Sequence, residues 1–285
     1  MMPLFYTVLG LALCAAAWII WKHKEQRRAL ERLRDVPLPD EWINMLDSDM
    51  PIYRRLPAKL RPKLHGYIQV FLATKPFEAC GDLEAVTDEM RVLVAAQACL
   101  LLLNDRNGCY DQLGSILIYP DAYRSQERLY GRGAGDDSGD VRLGESWGTG
   151  SVVLSWHHIR DGASNSHDGS NVVIHEFAHQ LDQLDGTADG LPTLKDRTRY
   201  PRWQEVFSAA YERHVERTED GRRTVIDSYG ATNPAEFFAV STETFFEKPR
   251  VLKKKYPELY GELATFFELD PVAWDKPPAA GGSDR

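Results

Sequence analysis

The segment Asn171–Gly186, NVVIHEFAHQLDQLDG, sets two histidines and a glutamate into an otherwise apolar helix. Nothing else in the chain restricts the fold as tightly. On a helix, residues i and i+4 stand about 40° apart, so His175 and His179 share one face. Val172, Val173, Ile174, Phe177, Ala178, Leu181 and Leu184 cover most of the remainder and require burial. Burying imidazole and carboxylate groups is costly unless something binds them. Two imidazoles at this spacing suit one tetrahedral Zn²⁺. Glu176, about 100° round from His175, falls outside the ligand set but near enough to an attacking water to act as a general base. The bland reading is a core helix whose histidines only hydrogen-bond to carboxylates. Gly186 marks the helix stop.

Zinc held by two histidines needs a third protein ligand from another element. Asn233-Pro234-Ala235-Glu236 opens a helix, with Asn233 as N-cap, Pro234 at N1 and Glu236 at N3. Glu236 is therefore a candidate ligand, although a capping-box glutamate alone would explain it. Glu243 shares its face at i+7 and is the runner-up. Asp182, Asp185 and His214 rank lower, the last because HVERTEDGRR reads as a solvated helix. His157, His158 and His167 fall in expected loops.

The chain has 285 residues, a 43% hydrophobic fraction and ordinary Gly and Pro content, which excludes disordered and collagen-like classes. Its net charge of −8 gives no electrostatic support for direct nucleic-acid binding. Cys14, Cys80, Cys99 and Cys109 form no Cys-x-x-Cys pair, so this is no disulfide scaffold.

Leu4–Trp21 is an 18-residue run without charge, followed by Lys22, Lys24, Arg27, Arg28, Arg32 and Arg34. As a helix it would span roughly 27 Å. A single-pass anchor in a bacterial inner membrane is expected, with residues 4–21 in the bilayer and the rest placed in the cytoplasm by the charge bias; the alternative is a cytoplasmic protein. The expected organisation is an anchor and basic juxtamembrane helix over 1–35, a catalytic domain over 36–275 and a flexible tail over 276–285. Helical patterns cover 58–73, 87–103, 171–185, 202–214, 234–247 and 257–268. SILIY (115–119) and VVLSW (152–156) read as strands, and 129–140 as an exposed loop. The fold class is α+β, mostly helical with a small mixed sheet.

His175–His179 together with Tyr229-Gly230-Ala231-Thr232-Asn233-Pro234-Ala235-Glu236-Phe237-Phe238-Ala239-Val240 resembles the metallopeptidases called Mlc titration factor A, whose active-site segments are similar to those of anthrax lethal factor. Residues 77–103 and 144–159 extend the likeness, which covers roughly residues 50–270. The resemblance implies a zincin-like fold, one Zn²⁺ per chain, Glu236 as the third ligand and Tyr229 as a hydrogen-bond donor to the oxyanion. It departs from many such enzymes at Val240, where an acidic residue four places after the ligand glutamate would orient a zinc histidine. Glu243 is the candidate replacement. The expected activity is zinc-dependent peptide hydrolysis on a peptide or protein substrate. The alternative is a membrane-tethered module that sequesters an Mlc-like transcriptional repressor with little catalysis.

Overall fold

A computed structural model describes residues 2–104, 110–120 and 150–274, with side chains from residue 14 onward. The elements run α1 (Met2–Arg34), α2 (Asp40–Asp49), α3 (Pro51–Arg55), α4 (Arg61–Thr74), β1 (Phe77–Ala79), α5 (Asp88–Leu100), β2 (Ser115–Tyr119), β3 (Ser151–Ser155), α6 (Trp156–Ser164), α7 (Val172–Asp182), α8 (Tyr200–Glu219), α9 (Pro234–Glu247), α10 (Pro249–Lys255) and α11 (Pro257–Phe267). The expected loop at 129–140 and tail at 276–285 lie outside the described residues.

The three strands form one parallel sheet in the order β1-β2-β3, with Ile116 beside Phe77 and Val152. This corrects the expected mixed sheet. More than thirty residues separate each strand from the next, and connections that long let each strand return in the same direction. Ile116, Ile118, Val152 and Leu154 point inward, giving the strands their alternating burial.

The anchor also needs correction. Among the described residues no helix is long and apolar enough to cross a membrane. That finding overturns the expected transmembrane helix, its lipid partner and the inner-membrane placement built on it. Side chains 4–13 of the uncharged run lie outside the described residues. The basic end of α1 belongs to the folded body instead. Leu30 and Leu33 pack on the core, and the Arg34 guanidinium lies 4.7 Å from the centre of the Tyr67 ring. Gly66 permits this approach, since a Cβ there would stand 2.8 Å from the Arg34 carbonyl oxygen.

Two largely buried helices make the centre. α5 is buried from Val92 to Leu100, and α9 from Phe237 to Glu247. Phe237, Phe238, Phe245 and Phe246 pack with Trp203, Phe207, Phe266 and Phe267, burying large aromatic areas in edge-to-face, tilted and stacked contacts. α7 lies against both α5 and α9.

Candidate metal centre

α7 begins where Asn171 caps it, its Oδ1 accepting from Ile174 N at 3.0 Å. It ends in a single 3₁₀ turn closed by Gly186 at φ +94°, as the sequence predicts. His175, Glu176 and His179 are all buried. α9 begins with Asn233 Oδ1 accepting from Glu236 N at 2.9 Å. This cap places Glu236 on the first turn, where its carboxylate points at the α7 histidines.

Three ligand atoms converge. His175 Nε2 and His179 Nε2 stand 3.1 Å apart, and Glu236 Oε2 lies 3.0 Å from the first and 3.3 Å from the second. A tetrahedral cation with bonds of ~2.0–2.1 Å spaces its ligand atoms by about 3.3 Å. No single proton can join all three atoms, whereas one divalent cation can. The donor set, two imidazole nitrogens and one carboxylate oxygen, therefore fits such an ion, and among the described residues these three side chains are a group able to hold one.

Glu243 lies on the other side of His175. Its Oε1 is 2.8 Å from His175 Nδ1, and its Oε2 accepts from the Asn171 backbone N–H. A proton on Nδ1, donated to this carboxylate, leaves the Nε2 lone pair directed at the convergence point. The runner-up ligand thus sits behind the ligand histidine rather than among the donors. Glu247, one turn further, accepts from Gly169 N at 2.9 Å and Asn171 Nδ2 at 3.1 Å. Asn171 Nδ2 also reaches Gln97 Oε1 at 2.9 Å. α9 thereby fastens the start of α7 through two buried carboxylates.

The charges follow from this packing. Burial opposes charging His175, but its bonds to Glu236 and Glu243 outweigh that and raise its pKa. Burial pushes His179 down to about 4. Glu236 resists burial because both histidines hold it down to about 2. Burial lifts Glu176 to about 7, aided by the Glu236 and Glu243 carboxylates and opposed by His175.

Tyr229 occupies a 3₁₀ turn, Ser228–Ala231, with its ring 6.0 Å from that of His175. Burial raises its phenol pKa, and the Glu236 and Glu176 carboxylates raise it further. Asp227 Oδ1 accepts from Tyr229 N at 2.8 Å. Behind the turn, His214 Nε2 donates to the Asp227 carbonyl at 3.0 Å. His214 is fully buried, contrary to the expected solvated helix. Its signal was present in the sequence, because Trp203, Val206, Phe207 and Ala210 form a helical stripe that His214 continues. Asp182 is buried and accepts from Gly190 N at 2.9 Å. Asp185 instead holds the following turn through Thr187 N at 3.0 Å. His157 and His158 sit on α6 rather than in a loop.

Residues 21–268 match the family described as glucose-regulated metallo-peptidase M90. The chain belongs to that family. An uncharacterized protein of Synechocystis sp. is 41% identical over 257 residues, covering 90% of each chain. The Mlc titration factor A of Pectobacterium atrosepticum is 30% identical over 233 residues, 79% of this chain and 84% of its own. That of Serratia proteamaculans is 32% identical over 192 residues, 66% and 72% respectively. Membership of a metallo-peptidase family agrees with the chemistry of the three converging donors.

Proposed function

We propose that this M90 family member hydrolyses peptide bonds using one Zn²⁺ held by His175, His179 and Glu236. The observation that carries this reading is the meeting of two imidazole nitrogens and one carboxylate oxygen at 3.0–3.3 Å in a buried pocket. When bound, zinc would supply Lewis-acid polarisation of the scissile carbonyl and a lowered pKa for water at the site. Glu176 takes the proton of the attacking water and passes it to the departing amine. Burial favours the protonated form of Glu176 more than water would, which suits a carboxylate that must take a proton and then give it up. Tyr229, kept protonated by its raised pKa, donates its O–H to the carbonyl oxygen as that atom gains charge. Glu243 keeps His175 protonated on Nδ1 and turned toward the metal.

Glu176→Gln tests the assignment. Zinc content by elemental analysis should match the wild type, while kcat/KM on a quenched fluorescent peptide falls by ~10²–10⁴. Normal turnover would remove Glu176 from the mechanism. A second reading rests on the name Mlc titration factor A carried by several relatives: an Mlc-like repressor is captured here with little cleavage. Equal capture of such a repressor by wild type and His179→Ala, with hydrolysis by neither, would favour it.

A further inference from the structure

A cavity of about 260 Å³ borders His175 and Tyr229 without touching His179 or Glu236. Pockets that enclose a whole small molecule measure ~300–1,000 Å³, so this one suits a single side chain of a longer molecule. Val172 and Val240 give it an apolar wall, Asp161, Asp168 and Asp227 give it carboxylates, and Glu243, occupied with His175 Nδ1, adds a fourth at its inner end. Among the described residues no lysine or arginine forms an ion pair with Asp161, Asp168 or Asp227. Asp168 accepts from Asn165 Nδ2 at 2.6 Å and Ser170 N at 3.0 Å. Asp227 accepts from Tyr229 N at 2.8 Å, and Asp161 stands 3.0 Å from His157 Nε2. Among the described residues no lysine or arginine lines the cavity. Lys248 lies behind Gly169, with Nζ 3.0 Å from where a Cβ would be, and offsets one charge of the several.

We propose that this cavity receives a lysine or arginine side chain of the peptide, adjacent to the bond being cleaved. The proposal rests on the peptidase reading above. A long basic side chain has an apolar stem and a cationic tip, and it needs both an apolar wall and an anionic end. An acidic side chain would meet like charge there. A free terminal ammonium has no stem to lay against the valines.

The zinc-loaded full chain carrying Glu176→Gln binds peptide without turning it over and isolates recognition. It is titrated, by fluorescence anisotropy, with labelled peptides that carry acetylated amino termini and differ only by lysine, norleucine or glutamate at one scanned position. At one position lysine should bind about tenfold tighter than norleucine, the usual scale for a hydrogen bond to a charged group, and glutamate weaker than both. Asp161→Asn combined with Asp168→Asn should bring the lysine-to-norleucine ratio toward one. Asp161 alone, which is exposed, changed to lysine should lower the ratio without threatening the fold. Equal affinities at every position overturn the proposal, as does a preference that appears only with free amino termini. Cleavage of the same peptides by the wild type reads the other claim. A lysine preference without cleavage sinks the peptidase reading and leaves the cavity's ligand class standing. Cleavage without a preference does the reverse.

Discussion

His175 is held from both sides, by Glu236 at Nε2 and by Glu243 at Nδ1. Removing the Glu243 charge while keeping its shape isolates the second contact. Glu243→Gln should weaken zinc binding by about 10–100-fold, the usual cost of losing a carboxylate behind a ligand histidine. Competition with a fluorescent chelator would measure it, and an unchanged affinity would mean that ring orientation comes from packing alone. Glu247 offers a pH test. Burial raises its carboxyl to about 8, above the ordinary ~4.3 of an exposed glutamate. Below the ordinary value the folded and unfolded chains are both protonated there and the group has no effect. Between about 4.5 and 8 the unfolded chain gives up this proton while the folded chain keeps it. Folding stability therefore falls as pH rises through that window. Urea midpoints at pH 5 and pH 8 should differ less for Glu247→Gln than for the wild type. The i, i+4 placement of His175 and His179 and the capped helix start that carries Glu236 were legible in the sequence, because each depends only on local spacing, whereas the choice of Glu236 over Glu243 as third donor came with the family resemblance. Glu243 entered as the candidate to orient a zinc histidine only through the family resemblance, since spacing on α9 tells which residues share a face but not which atoms of α7 they meet.

α7 and α9 must meet at a fixed angle for ligands from each to converge, and the segment between them sets part of that angle. Gly190 has φ +78°, donates to Asp182 and accepts from Trp203 Nε1 at 3.3 Å. A Cβ there would lie 2.4 Å from the carbonyl oxygen of Pro234, two residues before Glu236. Gly190→Ala should cost ~2–4 kcal/mol, strain plus displacement of the α9 start, and should weaken zinc binding with it. Gly221 has a similar φ of +66° with open space around it. Gly221→Ala should lose only the strain, about 1 kcal/mol, with zinc affinity intact. Comparable losses of metal from both variants would detach Gly190 from the site. α9 matched its sequence signal at both ends and α11 to within a residue, whereas α8 runs to Glu219, five residues beyond its expected end. β1, three residues long, and the α6 turn carrying His157 and His158 matched no signal, because neither shows a period long enough to read. The direction of strand pairing also escaped the sequence, since it depends on how distant segments return.

Across the whole molecule the metal would act as a cross-link between helices that lie far apart in sequence. His175 and His179 come from α7, and Glu236 follows after the intervening α8 and the Tyr229 turn. In the unfolded chain these three donors are dispersed, so a cation that binds them together binds the folded state almost exclusively. Linkage then requires that zinc stabilise the fold by RT ln(1 + [Zn]/Kd), ~2.7 kcal/mol at a hundredfold excess over Kd. For a chain of this size each kcal/mol moves the melting temperature by ~2 °C, so calorimetry with zinc against chelator should show an upward shift of roughly 5 °C. His179→Ala and Glu236→Ala should each abolish the shift, because two remaining donors no longer enclose the ion. Asp182→Asn, which alters a buried carboxylate on the same helix but none of the three donors, should lower the melting temperature while leaving the zinc-induced shift in place. A shift that survived loss of Glu236 would place the ion elsewhere and end the assignment of a site shared between α7 and α9.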